Sequence, residues 1–126
     1  MPYKNILLID DDQDDQEIFL LAIEKIDPSI RCSVLSNATD AMDMLNAGNI
    51  HPDFIFLDLN LPAMNGQQFL EGIKKEEMIK DIPVVVLSTS SQKSTIELCR
   101  QMGAVDFISK PDNFNDLILN LRKILE

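Results

Sequence analysis

The chain has 126 residues, enough for one domain with a full hydrophobic core. Its 45% apolar and 25% charged residues are ordinary for a globular protein, and 21 acidic against 11 basic residues leave a net charge of −10. That charge repels nucleic-acid phosphates and anionic membrane surfaces, so neither is an expected partner. No apolar run approaches membrane-spanning length, and the first residues lack the basic-then-apolar pattern of a secretory signal. Cys32 and Cys99 are far apart and show no metal-ligand spacing. They are expected to be buried free thiols in a reducing cytoplasm.

Asn5 to Ile9 is a continuous apolar run, read as a strand, and it leads straight into Asp10-Asp11-Asp12. A helix is predicted from about Asp14 to Ile26. Ile18, Leu21, Ala22 and Ile26 form its apolar stripe, widened by Phe19 and Ile23. Asp14, Asp15 and Glu17 crowd its first turn, where the helix dipole favours negative charge. Asp12 is expected to cap or support this helix, although it could also compete for a metal. Pro28 ends the helix.

Arg31 to Ser36 reads as the second strand, and Ala38, Ala41, Met42 and Leu45 as a short helix stopped near Gly48. His51, beside Pro52 in a loop, is expected at the surface with no catalytic work. Phe54 to Leu57 is an apolar run with no helical period, the mark of a strand buried on both faces, and it stops at Asp58. Pro62 and Asn65-Gly66 mark the loop before a helix carrying Phe69, Leu70 and Ile73.

Pro83 opens a strand over Val84 to Leu87, which ends in Ser88-Thr89. A helix over about Lys93 to Met102 is closed by Gly103. Val105 to Ile108 forms the last strand and leads into Ser109-Lys110-Pro111. Phe114, Leu117, Ile118, Leu121 and Leu125 give the final helix. Strands alternating with helices predict a parallel sheet covered on both faces. Five such units suit a flavodoxin-like, doubly wound α/β fold with strand order 2-1-3-4-5.

In such a sheet all strands end at one edge. Strand one delivers Asp10 and Asp11, strand three Asp58, strand four Ser88 and Thr89, and strand five Lys110. Two carboxylates about 5 Å apart repel by roughly 3 kcal/mol at an effective dielectric near 20. Three together call for a cation beyond Lys110. A few oxygens plus water is the usual way of holding Mg²⁺. The same surroundings suit a phosphoryl group arriving on Asp58, with Ser88 donating to one of its oxygens.

At this point the chain resembles the receiver domains of two-component response regulators, over essentially residues 1–126. The motifs are Ile-Leu-Leu-Ile-Asp10-Asp11, Phe-Leu-Asp58-Leu-Asn60-Leu-Pro62 with Met64-Asn65-Gly66, Val-Val-Leu-Ser88-Thr89, and Phe107-Ile108-Ser109-Lys110-Pro111. The resemblance implies that Asp58 is the phosphoacceptor in a Mg²⁺-dependent reaction. By the same resemblance Asp11 ligates the metal directly, Asp10 acts through a water, and the Asn60 backbone carbonyl is a further ligand. It makes Ser88 the switch hydroxyl, Phe107 the switch aromatic and Lys110 the partner of the phosphoryl group, with a cis bond to Pro111. Ser88 replaces the commoner Thr, Phe107 stands where Tyr is frequent, and Thr89 replaces a small residue, which would narrow access to Asp58.

The implied partners are a sensor histidine kinase or a histidine phosphotransfer protein, and a downstream protein target. A homodimer through the face of helix four, strand five and helix five is a further option. Nothing follows the last helix, so the expectation is a stand-alone, non-enzymatic receiver. It would act through protein contacts or pass the phosphoryl group onward to a histidine. Three other classes compete. A flavodoxin-type carrier would need its first loop to cradle a flavin phosphate, which Asp10-Asp11-Asp12 repels. An Asp-nucleophile hydrolase would carry its nucleophile on strand one and a cap insertion. The third is an interaction module with a vestigial acidic pocket.

Overall fold

Each apolar run without helical period becomes a strand, and each striped segment a helix. In chain order these are β1 (Asn5–Ile9), α1 (Gln13–Ile26), β2 (Arg31–Leu35), α2 (Ala38–Asn46), β3 (Phe54–Asp58), α3 (Gly66–Lys74), β4 (Val84–Ser88), α4 (Lys93–Gln101), β5 (Asp106–Ser109) and α5 (Phe114–Leu125). The computed structural model describes residues 5–59, 61, 64–89, 92–110 and 113–126. The strands form one parallel sheet in the order β2-β1-β3-β4-β5, the doubly wound order expected. Parallel pairing requires a crossover between consecutive strands, and α1 to α4 supply the four, with α5 following the last strand.

Alternate residues of each strand feed two separate cores. Ile6 and Leu8 of β1 and Phe54 and Phe56 of β3 pack with Phe19, Ala22 and Ile23 of α1 and Leu121 and Leu125 of α5. Leu7, Ile9, Ile55 and Leu57 point the other way, against Ala41 and Leu45 of α2, Phe69, Leu70 and Ile73 of α3, and Cys99 of α4. Every residue of β3 and β4 is buried. That explains why these two segments show no polar alternation in sequence. Phe56 anchors the α1 side, with its ring centroid 5.1 Å from those of both Phe19 and Phe54. A fully buried side chain of this kind contributes about 1.5–3 kcal/mol.

The apolar stripe of α1 is turned from the predicted one. Phe19, Ala22 and Ile23 face the sheet, while Ile18 and Leu21 are 43% and 55% exposed. Both sets have helical spacing, so only the docking angle of the helix distinguishes them. The helix also starts at Gln13, which puts Glu17 beyond the first turn. Cys99 is buried as expected and Cys32 only half-buried, because β2 is an edge strand. Burial pushes the Cys32 thiol up to about 12, so it stays protonated.

Local chemistry sets the helix ends. Asp12, Asn37, Asn65 and Asn113 each accept a backbone N–H from the first turn of α1, α2, α3 and α5. Asn65 and Gln68 complete a reciprocal capping box. Helix α4 starts at Gln92 with no side-chain cap bond. Gly48 and Gly103 take positive φ, as the turns closing α2 and α4 require.

Gly66 matters for a different reason. A Cβ there would lie 2.6 Å from Leu59 Cα and 2.7 Å from the Asp58 carbonyl oxygen. The start of α3 is thus pressed onto the backbone that leaves β3. Helix propensity alone would favour Ala over Gly by about 1 kcal/mol. Overpacking against backbone costs about 1–3 kcal/mol instead. Gly66→Ala should therefore lower the urea midpoint by an equivalent amount. A raised midpoint would show that the contact has slack.

Candidate functional site

The strand register decides which side chains meet. Ile9 pairs with Leu57, so the next residues, Asp10 and Asp58, emerge side by side. Asp58 pairs with Leu87, and Ser88 with Ser109, which brings Lys110 to the same edge. Backbone bonds continue the ladders past the strands: Asp10 N–H to Leu35 O, Leu59 N–H to Leu87 O, and Lys110 N–H to Ser88 O at 2.7 Å. Asp10, Asp58 and Ser88 are almost wholly removed from water, at 1%, 5% and 1% exposure. Asp11 and Thr89 are exposed on the rim, and Phe107 is half-buried against the core on the α2–α4 side.

The three predicted carboxylates do converge. One oxygen each from Asp10, Asp11 and Asp58 lies within 4.8 Å of the others. Pairs at that separation repel by about 3 kcal/mol at an effective dielectric near 20. Lys110 Nζ donates to Asp10 Oδ2 at 3.2 Å and to Asp58 Oδ2 at 3.3 Å. Its closest acceptor is one the sequence reading missed, Asp15 Oδ2 at 2.9 Å. Burial alone would lower the pKa of Lys110. The bond to Asp15 and the charges of Asp10 and Asp58 outweigh it and hold the ammonium protonated well above the usual lysine range.

Asp10 is pushed the other way. Burial raises its carboxyl above the ordinary value, against the lowering effects of the Asp12 N–H and of Lys110. Its Oδ1 accepts the Asp12 N–H at 3.0 Å, and Asp12 Oδ1 accepts the Asp15 N–H at 3.1 Å. Asp12 is therefore the cap of α1. Gln16 was also missed: its Nε2 donates to the Asp10 carbonyl and to Ser36 Oγ. With only three residues between β1 and α1, the first turn of that helix stays near this edge, which was a signal for Asp15 and Gln16 as neighbours of Asp10 though not for the bond to Lys110.

One ammonium faces four carboxylates here, so the edge remains strongly negative. Its donors are hard oxygens clustered on the scale of a small dication's coordination shell, roughly 4 Å across for Mg²⁺. The residues present thus fit such an ion. The Asn60 carbonyl and the Lys110–Pro111 bond lie outside the described residues.

Comparison with known proteins agrees with this geometry. The family model for the response regulator receiver domain matches residues 6–122. The chain is 30% identical over 125 residues to the probable methanogenesis regulatory protein FilR2 of Methanothrix harundinacea (strain 6Ac), covering 96% of this chain and 81% of that protein. It is 33% identical over 106 residues to the probable C4-dicarboxylate response regulator DctR of Bacillus subtilis (strain 168), covering 84% of this chain but only 45% of that one. Among solved structures, the phosphorylated cyanobacterial phytochrome response regulator RcpA superposes with a TM-score of 0.88 at 31% identity, over 97% of this chain and 91% of that one. The Mn(2+)-bound form of response regulator Rcp1 gives 0.85 at 28% identity, over 96% and 91%.

The raised carboxyl of Asp10 makes a stability prediction. Its charged form is disfavoured in the fold, so the folded state binds the proton more tightly than the unfolded chain. The resulting stability is full below the ordinary value of 3.8 and is lost as pH rises through the folded value. In metal-free protein at pH 7, Asp10→Asn should therefore raise the melting temperature. The gain should shrink as the pH falls towards 3.8. A lowered midpoint at pH 7 would mean that the bond to Lys110 outweighs the burial.

Proposed function

Because the chain belongs to the receiver-domain family of response regulators, we propose that it accepts a phosphoryl group on Asp58 and thereby switches a protein-interaction surface. The observation that carries this is the position of Asp58. It is a buried carboxylate at the end of a central strand, clustered with Asp10 and Asp11 and within reach of Lys110. In this reading an Asp58 carboxylate oxygen attacks the phosphorus of a phosphohistidine. The P–N bond breaks, and its electron pair stays on the imidazole. The donor is a sensor histidine kinase or a histidine phosphotransfer protein.

Asp11, Asp58 and the Asn60 carbonyl would hold Mg²⁺, with Asp10 acting through a water. When bound, Mg²⁺ supplies positive charge that shields the carboxylates from the incoming phosphoryl oxygens. Lys110 pairs with one of those oxygens, and Ser88 turns its hydroxyl towards another, since a charge-assisted hydrogen bond is stronger than a neutral one. Phe107 moves inward into the space that Ser88 vacates. Thr89, on the exposed rim, limits access to Asp58.

The domain works as a regulator rather than an enzyme and assists only its own phosphorylation and dephosphorylation. Its output is a contact with a downstream protein. Leu98 of α4 and Val105 just before β5 are exposed apolar residues that would serve a homodimer through the α4–β5–α5 face. Two free thiols suit a cytoplasmic setting. Among the described residues no helix is long and apolar enough to cross a membrane.

Incubation with a small phosphodonor and Mg²⁺ should add the mass of one phosphoryl group to the intact protein. Asp58→Asn should abolish the gain, and Asp11→Ala should slow it at least about tenfold. Unchanged labelling of either variant would remove the assignment.

The proposed switch has its own test. Phe107→Ala should leave phosphorylation of Asp58 largely intact but blunt the amide shifts that beryllofluoride induces from Ser91 to Leu125. Full-sized shifts in the variant would show that coupling runs elsewhere.

A further inference from the structure

Lys110 has three ammonium hydrogens and three carboxylate acceptors, and the shortest contact goes to the acceptor outside the Asp10–Asp11–Asp58 cluster. Asp15 Oδ2 is at 2.9 Å, against 3.2 Å for Asp10 and 3.3 Å for Asp58. Asp15 is itself well placed. Its N–H bonds Asp12 Oδ1, and the Asp12 N–H bonds Asp10 Oδ1. Lys110 joins Asp10 to Asp15, so Asp10, Asp12, Asp15 and Lys110 close a ring of hydrogen bonds. The ring ties the lysine to the first turn of α1.

The consequence lies in competition for oxygens. A dication entering the cluster would draw on Asp58 directly and on Asp10 through a water, the same carboxylates to which Lys110 donates. Ammonium and dication also repel each other at this range. Without another anchor the lysine would either block the cation or be expelled from Asp58. Asp15 belongs to neither competitor's shared oxygens and lies on the α1 side.

We propose that Asp15 is a positioning residue for Lys110, holding its ammonium on the α1 side of the cluster so that the lysine and a divalent cation occupy the site together. This rests on the preceding reading only in taking that cation to be Mg²⁺. Asp14, in the same helical turn but exposed, is the natural control for charge alone.

The test is a Mg²⁺ titration of the full chain followed by amide chemical shifts. Asp15→Asn should weaken Mg²⁺ binding about three- to fivefold, the scale of one partly exposed ion pair, with Asp15→Glu recovering part of the loss. Asp14→Asn should change the affinity by less than about 1.5-fold. In a Lys110→Ala background, Asp15→Asn should cost less than about 1.5-fold, because there is no ammonium left to hold. A second reading comes from the Lys110 ε-methylene protons. They should be inequivalent in the Mg²⁺-loaded parent and averaged in Asp15→Asn. Equal losses in both backgrounds, a matching loss in Asp14→Asn, no loss at all, or a parent that does not bind Mg²⁺ would each overturn the proposal. Failure of Asp58 to take a phosphoryl group in a parent that binds Mg²⁺ would instead overturn the preceding reading and leave this one to stand on the titration.

Discussion

Asp10 and Asp58 leave neighbouring strands side by side, and both are buried. Carboxylates in that position lose hydration and repel each other, so they persist only where surrounding groups compensate. Three kinds of support do so here. Strands β1, β3 and β4 are locked from both faces by apolar side chains, which keeps the backbone from relaxing away. Ladder bonds continue past the strand ends at Asp10, Leu59 and Lys110. Lys110 then reaches across the edge as the internal counter-charge. The site is a cluster of repelling charges held by an apolar scaffold packed on both faces.

Much of this was legible in the sequence because parallel sheets impose strong patterns. The runs Asn5–Ile9, Phe54–Leu57 and Val84–Leu87 can be read as strands from their apolar pattern, and each is followed by a polar residue of the site, Asp10, Asp58 or Ser88. Once the strand order was inferred, Asp10, Asp58, Ser88 and Lys110 had to meet. The docking angle of α1 was not legible. Ile18 and Phe19 are adjacent in sequence and equally apolar, yet only Phe19 finds Phe56. Asp15 looked like one more acidic residue favoured by the helix dipole. Its bond to Lys110 joins residues 95 positions apart, and only the folded sheet brings them together. Strand ends shifted by a residue, as at Ser88, because ladder pairing extends where hydropathy has already fallen.

Family membership narrows the competing readings. The acidic first loop, which repels a flavin phosphate, becomes intelligible as a cation-binding edge. The proposed acceptor, Asp58, lies on strand three rather than strand one, unlike the nucleophile expected of an Asp-nucleophile hydrolase. The chain spans only 45% of the length of the Bacillus subtilis regulator that it matches. The chemistry described here belongs to the module, and its readout depends on what the module touches.

The helix caps bear on how a charge added at Asp58 would spread through the molecule. On one flank, α3 is clamped by its capping box and by the contact of Gly66 with the backbone of Asp58 and Leu59. On the other, α4 begins without a side-chain cap, where such a cap would be worth roughly 0.5–2 kcal/mol. A charge added at the edge of the sheet would meet a side-chain clamp at the start of α3 and none of that kind at the start of α4.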